Sequence, residues 1–143
     1  MTQAFPKTLS LRCGPVAAID LALFAASSGD HNPLHLDAQV AQGAGFAKPV
    51  VHGMLSMAYC SRLFTQHFGA GCVRRLHTRF TGVALLGDTI VLEATLQEVV
   101  SNGAQYQLKG YQLTASDDMG KELVTGSALV LPSSLPALRC VEL

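Results

Sequence analysis

HGMLSMAYCSRLFTQHFG, residues 52–69, decides the fold. Leu55, Ala58, Leu63 and Phe64 recur at helical spacing, and Met54, Met57 and Tyr59 carry the apolar surface almost all the way round. Gly69 follows as a stop. A helix that is apolar on most faces needs cover on most faces. The spacing therefore predicts a buried helix over His52–Phe68, with Cys60 in the core.

The cover comes from downstream. Val73–Phe80, Thr89–Val99, Gln105–Ser116 and Lys121–Leu131 are β-branched or alternating runs. Turn sequences separate them: Leu86-Gly87-Asp88, Ser101-Asn102-Gly103 and Asp117-Asp118-Met119-Gly120. Upstream, Thr8–Cys13 alternates like a further strand. Val16 to Ser28 then reads as a helix whose apolar stripe is Val16, Ile19, Leu23 and Ala26, with Pro15 near its start. Gly29 can end it in a left-handed conformation, and Asp37 can cap a short helix, Ala38–Gly43. Helices followed by a meander of strands make an α+β layout. One antiparallel sheet covering one nearly all-apolar helix has to curl around it, which is the hot-dog arrangement.

The chain is expected to form a single domain, residues 1–143, with a loose tail over 132–143 that carries two prolines and two serines. Only 14% of its residues are charged, well below the usual quarter. Either uncharged polar residues cover the surface, or a large part of it is buried against another subunit. A sheet edge that needs hiding favours the second reading and predicts a homodimer or a multiple of one. Ten basic and ten acidic residues cancel, so no long-range field draws the chain to nucleic acid. No apolar run approaches the ~20 residues that span a bilayer. The N-terminus has no apolar core or small-residue cleavage site, and Cys13, Cys60, Cys72 and Cys140 form no C-x-x-C pair. Reduced thiols and a cytoplasmic location are the expectation.

Chemistry concentrates in SSGDHNPLHLD, residues 27–37. His31, His35 and His52 with Asp30 or Asp37 are metal-ligand types, but Asn32-Pro33 interrupts the helical His-x-x-x-His spacing, so no metal is expected. Asp30, Asn32 and Asp37 could all serve as backbone caps in a polar turn. For Asp30 and His35 the tight Gly29…Pro33 frame suggests more, because it folds them toward each other beside an apolar helix. A carboxylate near an imidazole is a general acid–base pair. The second half of the site is Val50-Val51-His52-Gly53-Met54, which opens the buried helix. Its first N–H groups lack intrahelical partners, and Gly53 lets a substrate atom come close. A backbone donor there is an oxyanion hole for a carbonyl becoming enolate-like. Close helix–sheet packing is the other use of Gly53.

FAASSGDHNPLHLD (24–37) followed by KPVVHGM (48–54) resembles the hydratase 2 motif of MaoC-like hot-dog proteins, the (R)-specific enoyl-CoA hydratases and related 3-hydroxyacyl dehydratases. The likeness continues more weakly through RFTGVALLGDTI (79–90). It implies that Asp30 and His35 are the catalytic pair and that the Gly53 N–H polarises a thioester carbonyl. Asn32 and His52 would be substrate-side residues. The implied reaction is reversible syn hydration of a trans-2-enoyl thioester of coenzyme A or acyl carrier protein, with no cofactor and no metal. Ser27 and Ala17 depart from the family pattern, which touches pocket shape and helix capping rather than a reacting group. Lys48, Arg62, Arg74, Arg75 and Arg79 could meet substrate phosphates or simply be solvated charge. A hot-dog thioesterase and a non-catalytic acyl-binding module are the competing readings.

Overall fold

Five strands lie side by side in the order β1-β3-β4-β5-β2, every pairing antiparallel. They are β1 Thr8–Cys13, β2 Val73–Phe80, β3 Thr89–Val100, β4 Gly103–Leu113 and β5 Glu122–Val130 in a computed structural model. That structure describes residues 5–100, 103–113 and 120–132, so the tail expected beyond Pro132, and Cys140 with it, fall outside the described residues. Among the described residues there are also three α-helices: α1 Ala18–Ser28, α2 Ala38–Gly43 and α3 Gly53–Phe68.

Alternation along the strands builds the sheet's inner face. On β3, Ile90, Leu92 and Ala94 are buried, and on β4 so are Ala104, Tyr106 and Leu108. Helix α3 meets that face with Leu55, Cys60, Leu63, Phe64 and Phe68. Tyr106 sits between Phe64 and Phe68, and its hydroxyl donates to the Pro6 carbonyl at 2.9 Å, so the buried phenol keeps a partner. Burial drives the Cys60 thiol up to about 12, with Cys13 nearby adding to the rise. Register shifts between Leu96 and Glu98, Val73 and Arg75, and Gly110 and Tyr111 bend the strands around the helix.

The sheet is tightly packed at several glycines, Gly103 and Gly110 of β4 among them, and most tightly at Gly126. A Cβ on Gly126 of β5 would meet the carbonyl oxygen of His77 on β2, which is backbone and cannot move aside. Gly126→Ala should therefore cost about 1–3 kcal/mol of stability, the range for inserting a methyl where there is no room. Urea unfolding of the two proteins checks it, and an unchanged midpoint would contradict the packing described.

Two expectations about apolar faces need correction. On α1 the buried residues are Leu21 and Ala25, whereas Ile19 and Leu23 are each 61% exposed. The helix is apolar on nearly every side, so periodicity fits more than one stripe, and contact with the rest of the fold selects the face. Helix α3 is covered on only one side: Met54 is 58% exposed, and with Phe24, Met57, Ala58, Val73 and Leu76 it lines an open apolar trough of about 510 Å³.

Candidate active site

The site is made by the stretch that leaves α1 and the stretch that enters α3. Gly29 takes the left-handed conformation (φ 77°), and its N–H donates to the Ala25 carbonyl, ending the helix. Ser28 then links helix to turn: its hydroxyl donates to the Phe24 carbonyl at 2.6 Å and accepts the Asp30 N–H at 3.2 Å. Asp30 Oδ1 accepts from the Asn32 N–H at 3.4 Å, and Asn32 Oδ1 accepts from the Leu34 N–H at 3.0 Å. These successive side-chain caps carry the chain into a single 3-10 turn, Pro33–His35, which delivers the His35 ring. Asp37 caps α2 through the N–H groups of Gln39 and Val40.

On the other side, the Val50 N–H donates to the Leu34 carbonyl and the Val51 N–H to the Ala84 carbonyl, tying residues 50–51 across the turn. The Val50 carbonyl in turn accepts from His35 Nδ1 at 2.7 Å. A carbonyl can only accept, so Nδ1 carries the hydrogen and the Nε2 of neutral His35 bears the lone pair. That Nε2 lies 3.6 Å from Asp30 Oδ2, with the carboxylate half exposed and the ring nearly buried. The predicted pair is thus brought together.

Gly53 begins α3, with His52 as its N-cap residue. The first N–H groups to return to the His52 carbonyl are those of Leu55 and Ser56, which leaves the Gly53 donor without a partner among the described residues. A Cβ on Gly53 would face the Phe80 ring at 3.7 Å, an ordinary contact. Close packing therefore does not demand glycine here, contrary to the reading of Gly53 as a helix–sheet packing residue.

His52 is the residue whose placement departs most from expectation. It is 1% exposed, so it does not open onto substrate space. Its ring stacks on His35 with centroids 3.8 Å apart and packs at an angle against Phe24. Its Nε2 lies 3.2 Å from the Asp30 carbonyl oxygen. Asn32 spends its carbonyl oxygen on capping. Ser28 and the Val50 carbonyl are site residues that the sequence reading missed. The serine beside Gly29-Asp30 was a readable signal; the carbonyl had none.

Asp30, His35 and His52 offer ligand atoms that all lie within 4.8 Å of one another. Pro33 does break the local histidine spacing, but the third residue arrives from 22 positions away. Ring geometry nevertheless fits a metal badly. The lone pairs of two imidazoles lie in the ring planes, and these planes are stacked with only 23° between them. They do not meet at the ~2 Å that metal–nitrogen bonds require.

Two apolar hollows lie in this region of the fold. One, about 330 Å³, is walled by Ala18, Leu21, Ala22, Leu36, Pro49 and Leu86 and reaches His35. The other is the trough on α3 that begins at Met54, next to Gly53. Lys48, Arg62, Arg74, Arg75 and Arg79 are all exposed, and none lines either hollow.

The fold has known counterparts. The solved (R)-hydratase from A. caviae involved in PHA biosynthesis superposes with a TM-score of 0.79 at 29% identity, covering 94% of this chain and 98% of that one. The unliganded R-hydratase from Pseudomonas aeruginosa gives 0.81 at 29% identity, covering 99% and 90%. The peroxisomal multifunctional enzyme type 2 of Drosophila melanogaster is 30% identical over 110 residues, 75% of this chain but only 17% of that protein. This chain thus corresponds to a small part of that relative. No helix among the described residues is long and apolar enough to cross a membrane. Residues 4–116 match the MaoC like domain, and with these relatives the chain belongs to the MaoC-like dehydratase family, built on the hot-dog fold.

Proposed function

We propose that this chain is a hydro-lyase that reversibly adds water to trans-2-enoyl thioesters, giving (R)-3-hydroxyacyl thioesters of coenzyme A or acyl carrier protein. The observation that carries the reading is the Asp30–His35 pair, 3.6 Å apart, with the His35 tautomer set by the Val50 carbonyl. Two acceptors at that separation suit a water molecule donating one hydrogen to each. The water oxygen bonds to C3 while the pair removes its proton. The C2=C3 electrons move toward the thioester oxygen, where the Gly53 N–H stabilises the charge. The pair then returns a proton to C2 and the carbonyl is restored. No other reactant is consumed.

Because the pair and the donor are fixed to one protein surface, oxygen and hydrogen should arrive on the same face. Hydration of crotonyl-CoA in D₂O is the test. Loss of the conjugated enoyl absorbance and a syn relationship between C2 deuterium and C3 hydroxyl are expected. Anti addition would defeat the one-face mechanism, and an (S) product formed by syn addition would defeat only the assignment of hand. Free thiol release instead of hydration identifies a thioesterase. Neither reaction leaves an acyl-binding module.

The whole chain is proposed to act as one domain in a dimer, in which a second copy hides apolar surface left open on α3. Light scattering should find a multiple of the 15.1 kDa chain. A stable, active monomer at micromolar concentration overturns it. A cytoplasmic location rests on the sequence alone, and fractionation of cells making the native protein checks it.

A further inference from the structure

Why is the residue under the catalytic pair an imidazole at all? His52 is 1% exposed, and its Nδ1 has no hydrogen-bond partner among the described residues. An orphaned ring nitrogen in a buried site lowers stability. A phenyl ring would stack on His35 and pack against Phe24 without that penalty. What phenylalanine could not do is donate to the Asp30 carbonyl, which His52 Nε2 reaches at 3.2 Å. That carbonyl can only accept, so the hydrogen of neutral His52 sits on Nε2 and Nδ1 is the bare nitrogen.

We propose that His52 is a positioning residue for the Asp30–His35 pair, its Nε2–H holding the Asp30 backbone while its ring face supports His35. The inference rests on the reading of that pair given above. The two contacts act on different partners. One fixes where the Asp30 main chain sits, and so where its carboxylate starts. The other restrains the His35 ring, keeping Nδ1 aimed at the Val50 carbonyl and Nε2 at Asp30 Oδ2. A pair whose two members are anchored through one shared ring keeps its separation as substrates come and go.

The tautomer is read first, on the wild-type protein without substrate. Long-range ¹⁵N–¹H spectra of its histidines at pH 7.5 should show His52 protonated at Nε2 and bare at Nδ1; the opposite tautomer overturns the proposal. Two variants then separate the contacts. His52→Phe keeps a flat ring and removes the donor; kcat should fall about 10–100-fold, the scale of a small misplacement of reacting groups. KM should stay within about threefold, because binding contacts are untouched. His52→Gln returns a nitrogen donor toward the Asp30 carbonyl and should recover a large part of the lost kcat. Wild-type kcat in His52→Phe, or a raised KM with unchanged kcat in either variant, overturns the positioning role. If the wild-type protein hydrates no enoyl thioester, the functional reading fails while the spectra still decide the tautomer. If a variant does not fold, the wild-type spectra likewise decide.

Discussion

Asp30→Asn and His35→Ala should each lower kcat for hydration of a trans-2-enoyl thioester by roughly 10²–10⁴-fold, the contribution of positioned acid–base groups. The Asp30 substitution is structurally mild. Its carboxylate is half exposed, and the Oδ1 that receives the Asn32 N–H survives in the amide. What disappears is the second oxygen's charge, which faces His35 Nε2. His35→Ala removes more: the lone pair, the Nδ1–H donated to Val50, and the ring covering His52. Stability should therefore drop more for His35→Ala than for Asp30→Asn while the catalytic losses stay comparable. The double variant should be only slightly slower than either single one, because groups that act as a unit lose their effect together. Steady-state kinetics on crotonyl-CoA, with circular dichroism to verify folding, decide the matter. Near-normal turnover in either single variant would remove that residue from the chemistry.

How much of this was legible beforehand depends on the range over which each signal acts. β1 and β2 carry their observed bounds in the sequence, because alternation ended by Gly-Pro or a turn is a local cue. Gly29, Asp37 and the start of α3 were equally readable, since capping is settled within a few residues. The buried face of α1 was not. Its residues satisfy several stripes, and only packing against the rest of the molecule chooses Leu21 and Ala25 over Ile19 and Leu23. The same limit explains the site. Asp30 and His35 share one turn, so their meeting follows from Gly29 and Pro33. The tautomer of His35 depends on a carbonyl fifteen residues away, and the place of His52 on a ring stack across two segments. Contacts of that kind leave no trace in spacing.

Gly53 offers a sharper test of the oxyanion donor than substitutions there usually allow. It is the first residue of α3, the position where proline is best tolerated in a helix because the N–H it lacks makes no intrahelical bond. The preceding residue, His52, has φ −55° and ψ 129°, the extended conformation a following proline favours. Gly53→Pro should thus leave α3 intact while deleting the one donor assigned to the thioester oxygen. Loss of such a donor costs on the order of 10²–10³-fold in kcat, and the ring's Cδ would occupy the place the oxygen approaches. Gly53→Ala is the matched control. It keeps the N–H, and its Cβ would lie 3.7 Å from the Phe80 ring, in ordinary contact. The alanine variant should retain kcat within a few-fold of wild type, and both should unfold near the wild-type midpoint. If alanine is as damaging as proline, steric fit at residue 53 governs the rate and the backbone donor does not. If proline is harmless, the thioester oxygen is held by some group other than the N–H at the head of α3.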